Sequence, residues 1–316
     1  MIYDLFTKFK INLIFITQRN NFTTEVLNIM NKIRKIKVTL KSRPTMEGAG
    51  VRLKRAFGYA DELLDPFLLL DDFHSDNPSD YMAGFPWHPH RGIETITYML
   101  HGKIEHGDSL GNGGVIEAGD VQWMTAGSGI IHQEMPKKDK NNNLLWGFQL
   151  WANLPASHKM MDPRYRDVKS SNIPEVYLSG NKVKVKIVAG EINGVKGPVK
   201  DIITDPEYLD ITISPNSEFI HIIKEGYNAI AYTIDGKGHF DDKKDELVGN
   251  ETLVIYKDGD TIKISTEEEG VRFLLISGKP LKEPVAWRGP IVMNTQEELS
   301  IAFNEYENGT FIKYHP

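Results

Sequence analysis

Short strand-like runs separated by glycine turns recur along this chain, and helical periodicity is scarce. Thr95–Leu100 (TITYML), Gly113–Gly119 (GGVIEAG), Val121–Met124 (VQWM), Leu144–Trp151 (LLWGFQLW) and Lys182–Gly190 (KVKVKIVAG) all read as strands. Gly107–Gly114 (GDSLGNGG) and Glu117–Asp120 (EAGD) read as the turns between them. Such a rhythm predicts an all-β sandwich or barrel.

Lys35–Lys41 (KIKVTLK) alternates, placing Ile36, Val38 and Leu40 on one face of an edge strand and Lys37 and Thr39 on the other. The basic cluster from Lys32 to Arg55 lacks aromatic interleaving or a helix, so it is read as charge guarding that edge rather than as a nucleic-acid patch. The segment Leu154–Val176 breaks the rhythm with three prolines, Pro155, Pro163 and Pro174, and marks a crossing between two domains. An internal repeat supports two domains of one kind. Ile96–Lys103 (ITYMLHGK) is similar to Ile230–Lys237 (IAYTIDGK), with Tyr98 matching Tyr232 and Gly102 matching Gly236. Near the end, Thr295 and Glu298 form a capping-box pair, and Leu299, Ala302, Phe303 and Tyr306 follow at helical spacing before Gly309. This predicts one C-terminal helix packed on the second domain.

Composition narrows the function. The chain has 316 residues and no cysteine, which excludes disulfides, thiolate metal sites and cysteine nucleophiles and fits a reducing, cytoplasmic setting. A formal net charge of −6 gives no general attraction to nucleic acid or anionic membrane. No apolar run approaches the roughly 18 residues of a membrane span. Ile11–Ile16 (INLIFI) is short for a signal sequence and no small-residue cleavage site follows it. Residues 1–29 are expected to lie outside the fold, with Met30 a natural alternative start.

The run Gly84–Gly102 (GFPWHPHRGIETITYMLHG) carries His88, His90 and Glu94 at even spacing, which on one continuous strand puts all three on one face. Downstream, His132 and Glu134 repeat the i, i+2 device. Two such pairs lining one interior would bring four or five nitrogen and oxygen donors together. Burying them unpaired costs several kcal/mol, which a divalent cation offsets. Imidazole and carboxylate without sulfur suit Fe, Mn, Ni, Co, Cu or Zn. An ion so held keeps positions open for water, dioxygen or substrate, as catalytic rather than structural sites do. His101 is expected at the surface and His106 near the pocket rim. Phe85, Trp87, Trp123 and Met124 flank the ligand strands and are candidate pocket walls.

Several long segments resemble the pirin family, within the cupin superfamily: His88–Thr95 (HPHRGIET), Glu105–Gly114 (EHGDSLGNGG), Gly119–Pro136 (GDVQWMTAGSGIIHQEMP), Leu154–Arg166 (LPASHKMMDPRYR) and Gly278–Leu299 (GKPLKEPVAWRGPIVMNTQEEL). The resemblance runs from about Met30 to the end. It implies two jelly-roll β-barrels packed face to face: a metal-binding barrel over 30–160, a connection over 161–180, and a second, metal-free barrel with the tail helix over 181–316. Aligning Tyr232 on Tyr98 puts Ile222, Lys224 and Asn228 at the positions of His88, His90 and Glu94.

Carried over residue by residue, the resemblance implies the ligands His88, His90, His132 and Glu134, around one divalent metal with iron(II) first among the candidates. Glu94 is then a nearby group outside the ligand set. The implied activity is a quercetin-type flavonol 2,3-dioxygenase in which Glu134, or secondarily Glu94, acts as general base on a small phenolic substrate. The alternative is a non-enzymatic, metal- and redox-dependent co-regulator that binds a protein partner, and in either reading a monomer is expected.

Overall fold

The computed structural model describes residues 32–138 and 143–314. The expectations for Ile11–Ile16 and for residues 1–29 fall outside the described residues. Among the described residues, no helix is long and apolar enough to cross a membrane.

Two sheets of the same design dominate. The first runs in the order Arg164–Val168, Val121–Thr125, Ile93–His101, Leu145–Asn153, Phe67–Ser75, Val51–Gly58 and Arg43–Glu47. The second runs Ile36–Lys41, Thr252–Tyr256, Asn228–Gly238, Val271–Gly278, Glu207–Ile213, Val183–Ala189 and Glu175–Leu178, with Val248–Gly249 paired to its third strand. Ile93–His101 and Asn228–Gly238, which carry the internal repeat, hold the same third place in each path. A smaller sheet closes each barrel: Phe85–His90, Ile130–Pro136, Lys103–Asp108 and Gly113–Glu117 in the first, Glu218–Ile222 with Thr261–Ser265 in the second.

The large sheets pack face to face. Alternation puts Ile96, Tyr98, Trp123, Phe148 and Leu150 of the first sheet into one buried cluster with Tyr208, Ile230, Tyr232, Leu253 and Leu274 of the second. The second barrel's interior is filled by a separate apolar cluster that includes Val185, Ile211, Phe219, Val254 and Phe273.

Three parts of the chain depart from the sequence expectation. Ile36–Lys41 forms its strand but pairs with Thr252–Tyr256, so an N-terminal segment assigned to the first barrel completes the second. The register shifts between Ile36 and Val38, and a bulge of this kind reverses which face each side chain takes. Ile36 therefore packs into the second barrel's interior and Leu40 into the inter-barrel core, while Val38 is exposed. Reciprocally, Arg164–Val168 still pairs with Val121–Thr125 of the first sheet, so the chain changes sheets only between Val168 and Glu175.

The C-terminal helix, Gln296–Glu307, has both halves of its capping box. Its buried residues Leu299 and Ala302 do not pack on the second barrel. They join Ala286, Ile291, Met293 and Phe311 in a cluster that Ile131 of the first barrel also touches. The chain leaves the second sheet after Gly278 and returns to the first barrel, drawn there by Arg91. That buried guanidinium pairs with Glu305 Oε2 at 2.7 Å and donates to the Phe311 carbonyl at 2.8 Å.

Candidate metal centre

Phe85–His90 and Ile130–Pro136 are antiparallel neighbours, with His88 opposite His132 and His90 opposite Ile130. This register gathers His88, His90 and His132 so that one ring nitrogen from each lies within 4.8 Å of the others. Two of the rings are oriented from behind. His88 Nδ1 is 2.8 Å from the Pro86 carbonyl oxygen, and His90 Nδ1 is 3.0 Å from that of Pro290. With Nδ1–H donating to those carbonyls, each Nε2 carries a lone pair, and the two Nε2 atoms face one another at 3.1 Å. Both His132 nitrogens are buried without a partner among the described residues.

Burial lowers all three imidazoles, His90 to about 3 with a further contribution from His88, and His132 well below the ordinary range. Neutral rings with converging lone pairs in a buried site are a donor set that fits a divalent transition metal.

Glu134 lies on the same strand as His132. It is buried, pushed up to about 7 by desolvation, and its Oε1 is 3.0 Å from Thr97 Oγ1. The same hydroxyl is 2.6 Å from Gln149 Oε1. One hydroxyl proton cannot serve two acceptors. The group closes with Glu134 protonated, or with the Gln149 amide turned to present its NH2.

Glu94 sits elsewhere, because the strand the sequence suggested is two strands. Gly92, at φ +78°, separates Phe85–His90 from Ile93–His101, and even spacing loses its meaning across that break. Glu94 shares its face with Ile96 and Tyr98, on the inter-barrel side, and accepts from Thr125 Oγ1 at 2.7 Å. Thr97, of opposite parity, is the residue of this strand that reaches Glu134. At the matching position in the second barrel, Asn228 donates to the carbonyls of Glu62 and Asp65.

A cavity of about 570 Å³ opens onto His88, His90 and Glu134. Its apolar walls are Leu69, Phe73, Phe85, Trp151 and Trp287, and Arg55, Asp71 and Glu47 form a charged end. Arg55 holds Asp71 through two hydrogen bonds of 2.8 and 2.7 Å and pairs with Glu47 at 2.8 Å. Of the four expected wall residues only Phe85 lines the cavity. Trp87 is 53% exposed, Trp123 lies in the inter-barrel core, and Met124 packs with Leu68, Ile93 and Ile130. Trp151 and Trp287 went unnoticed in the sequence because their strands lie far from the histidine motifs.

His101 is exposed as expected and lies over Trp146. His106 is not at the rim. It is buried beside Glu134, with neither ring nitrogen partnered among the described residues.

The chain matches two family models, "Pirin" over residues 50–152 and "Pirin C-terminal cupin domain" over residues 208–312. It is 41% identical over 282 residues to a pirin-like protein of Caulobacter vibrioides, covering 88% of this chain and 99% of that one. Among solved structures, it is similar to a quercetin 2,3-dioxygenase from Acinetobacter baumannii, with a TM-score of 0.82 and 30% identity over 88% of this chain and 98% of the other. A bacterial pirin from Escherichia coli in complex with nickel(II) shares the fold, with a TM-score of 0.56 and 21% identity over 77% of this chain and 98% of that one. With both barrels matched in order, the chain belongs to the pirin family of two-domain cupins.

Proposed function

We propose that this pirin is a metal-dependent flavonol 2,3-dioxygenase of the quercetin-opening type, with a single ion held by His88, His90, His132 and Glu134. The observation that carries the reading is the convergence of three neutral imidazoles, two of which open together with the buried Glu134 onto a cavity with aromatic walls. Iron(II) heads the candidates, and copper, manganese, nickel, cobalt and zinc suit the same donors. When bound, the ion supplies Lewis acidity that lowers the pKa of a flavonol hydroxyl.

Glu134 completes the ligand set, and its carboxylate is the group assigned to take that hydroxyl proton. Burial raises it to about 7, and the charge of a bound ion would favour its ionised, proton-accepting form. Thr97 holds the carboxylate in place. Trp151 and Trp287 flank a flat ring system and exclude water, while Arg55 with its two carboxylates faces the polar rim of a phenolic substrate.

Metal analysis and oxygen uptake with quercetin on one preparation, alongside His132→Ala, test the reading. Uptake that depends on the metal and disappears in the variant is expected. Metal-loaded protein that consumes no oxygen with any flavonol tested would remove the enzymatic assignment.

A further inference from the structure

The two oriented histidines of the centre are held in unequal ways. His88 takes its acceptor, the Pro86 carbonyl, from two residues upstream. His90 takes its acceptor, the Pro290 carbonyl, from 200 residues downstream, beyond the entire second barrel. That carbonyl belongs to a hairpin, Ala286–Arg288 with Ile291–Met293, which lies against the first barrel as a strap.

The strap is seated by the backbone that follows His90 and by two buried cations. Val292 N–H donates to the Arg91 carbonyl at 3.1 Å. Val292 O accepts from Lys159 Nζ at 3.0 Å, and the same ammonium donates to Gly92 O at 2.9 Å. Arg91 then ties the far side: its guanidinium reaches Ser128 O, Glu305 and Phe311 O and lies 4.2 Å over the Phe311 ring. On the cavity side, Trp287 donates its Nε1–H to Gly289 O at 2.7 Å, which holds the indole near Trp151, itself edge-on to His90 at 5.1 Å.

We propose that this C-terminal strap completes the metal pocket of the first barrel. Pro290 acts as the positioning residue for His90, and Trp287 presents the face against which the substrate ring lies. The inference rests on the assignment of His90 as a ligand. Its physical basis is that a carbonyl behind Nδ1 sets both the tautomer and the aim of a ligating imidazole, and here that carbonyl is delivered only when the tail is clasped.

The clasp can be opened from outside the pocket. Glu305→Ala removes the charged partner of Arg91 without touching a histidine, and Tyr98→Phe serves as a control that loosens the inter-barrel boundary instead. Both variants and the parent protein are loaded with cobalt(II), and release to a chelator and the visible cobalt spectrum are followed. Glu305→Ala is expected to release cobalt about 10-fold faster with an altered spectrum, the size of effect that groups behind metal ligands produce. Tyr98→Phe should match the parent. Equal release and spectra for Glu305→Ala and Tyr98→Phe would overturn the proposal. Failure of the parent to take up cobalt would instead bring down the reading of the centre, and the strap's role with it. In a second arm, quercetin binding to cobalt-loaded protein is followed by fluorescence quenching. Trp287→Ala should bind about 10-fold more weakly, as expected for loss of an aromatic anchor, with Trp287→Phe restoring most of it. Unchanged quercetin affinity in Trp287→Ala would remove the indole from the pocket's function.

Discussion

Tyr98 and Tyr232 occupy equivalent places in the two barrels, and each donates its phenol across the boundary to the other barrel's aspartate. Tyr98 Oη is 2.6 Å from Asp210 Oδ2, and Tyr232 Oη is 3.0 Å from Asp72 Oδ2. The reciprocity follows from the repeat, since both strands and both aspartates hold matching positions. The surroundings differ: Asp210 is held by Arg272 through two hydrogen bonds, whereas Asp72 has Trp146 Nε1 at 3.1 Å. Tyr98→Phe should therefore cost about 1.5–3 kcal/mol, the range for a bond to a charged acceptor, and Tyr232→Phe about 1 kcal/mol. Urea unfolding at neutral pH measures both.

Asp72 carries a pH signature. Burial raises it from 3.8 to about 7. Its native form then holds a proton that the unfolded chain has already released, so its contribution to stability is greatest below pH 3.8 and falls as pH rises through about 7. Asp72→Asn keeps an acceptor for Tyr232 and removes the charge. Thermal melts should show the variant gaining stability over the parent at pH 8 and no gain at pH 4; a constant difference at both would contradict the assignment.

Gly92 joins two functions, ending the first ligand strand and admitting the strap. At φ +78° an added Cβ would stand 1.9 Å from Val292 O, a backbone atom that cannot step aside. Gly92→Ala is expected to destabilise by more than about 3 kcal/mol and to displace the strap. Denaturant unfolding together with limited proteolysis of the C-terminal segment would detect both effects.

Thr97 lowers the Glu134 pKa against the larger, raising effect of burial. Thr97→Val removes that bond, so the carboxyl moves further up and its base form is reached only at higher pH. The pH midpoint of cobalt(II) uptake by the metal-free protein should shift upward in the variant, with little change at pH 9. An unchanged midpoint would take Glu134 out of the ligand set.

The alternation of short strands, the Tyr98–Tyr232 repeat and the Thr295–Glu298 cap were all legible, because strand parity and helix capping depend on near neighbours. His88, His90 and His132 were legible for the same reason, since each i, i+2 relation lies within one strand. Glu94 was misplaced because parity holds only along an unbroken strand, and the turn at Gly92 resets it. Thr97, Trp151 and Trp287 belong to the pocket through pairings and returns of the chain that no local pattern encodes. The same holds for Ile36–Lys41 in the second barrel and for the tail on the first. By itself the sequence determined a repeated strand pattern and the two i, i+2 pairs that carry the three imidazoles, through periodicities that act over a few residues, while the pairing of their strands brings the imidazoles together. Only the tertiary structure decided which barrel each end completes and what stands behind His90, because those choices rest on buried partners such as Arg91 with Glu305, far apart in the chain.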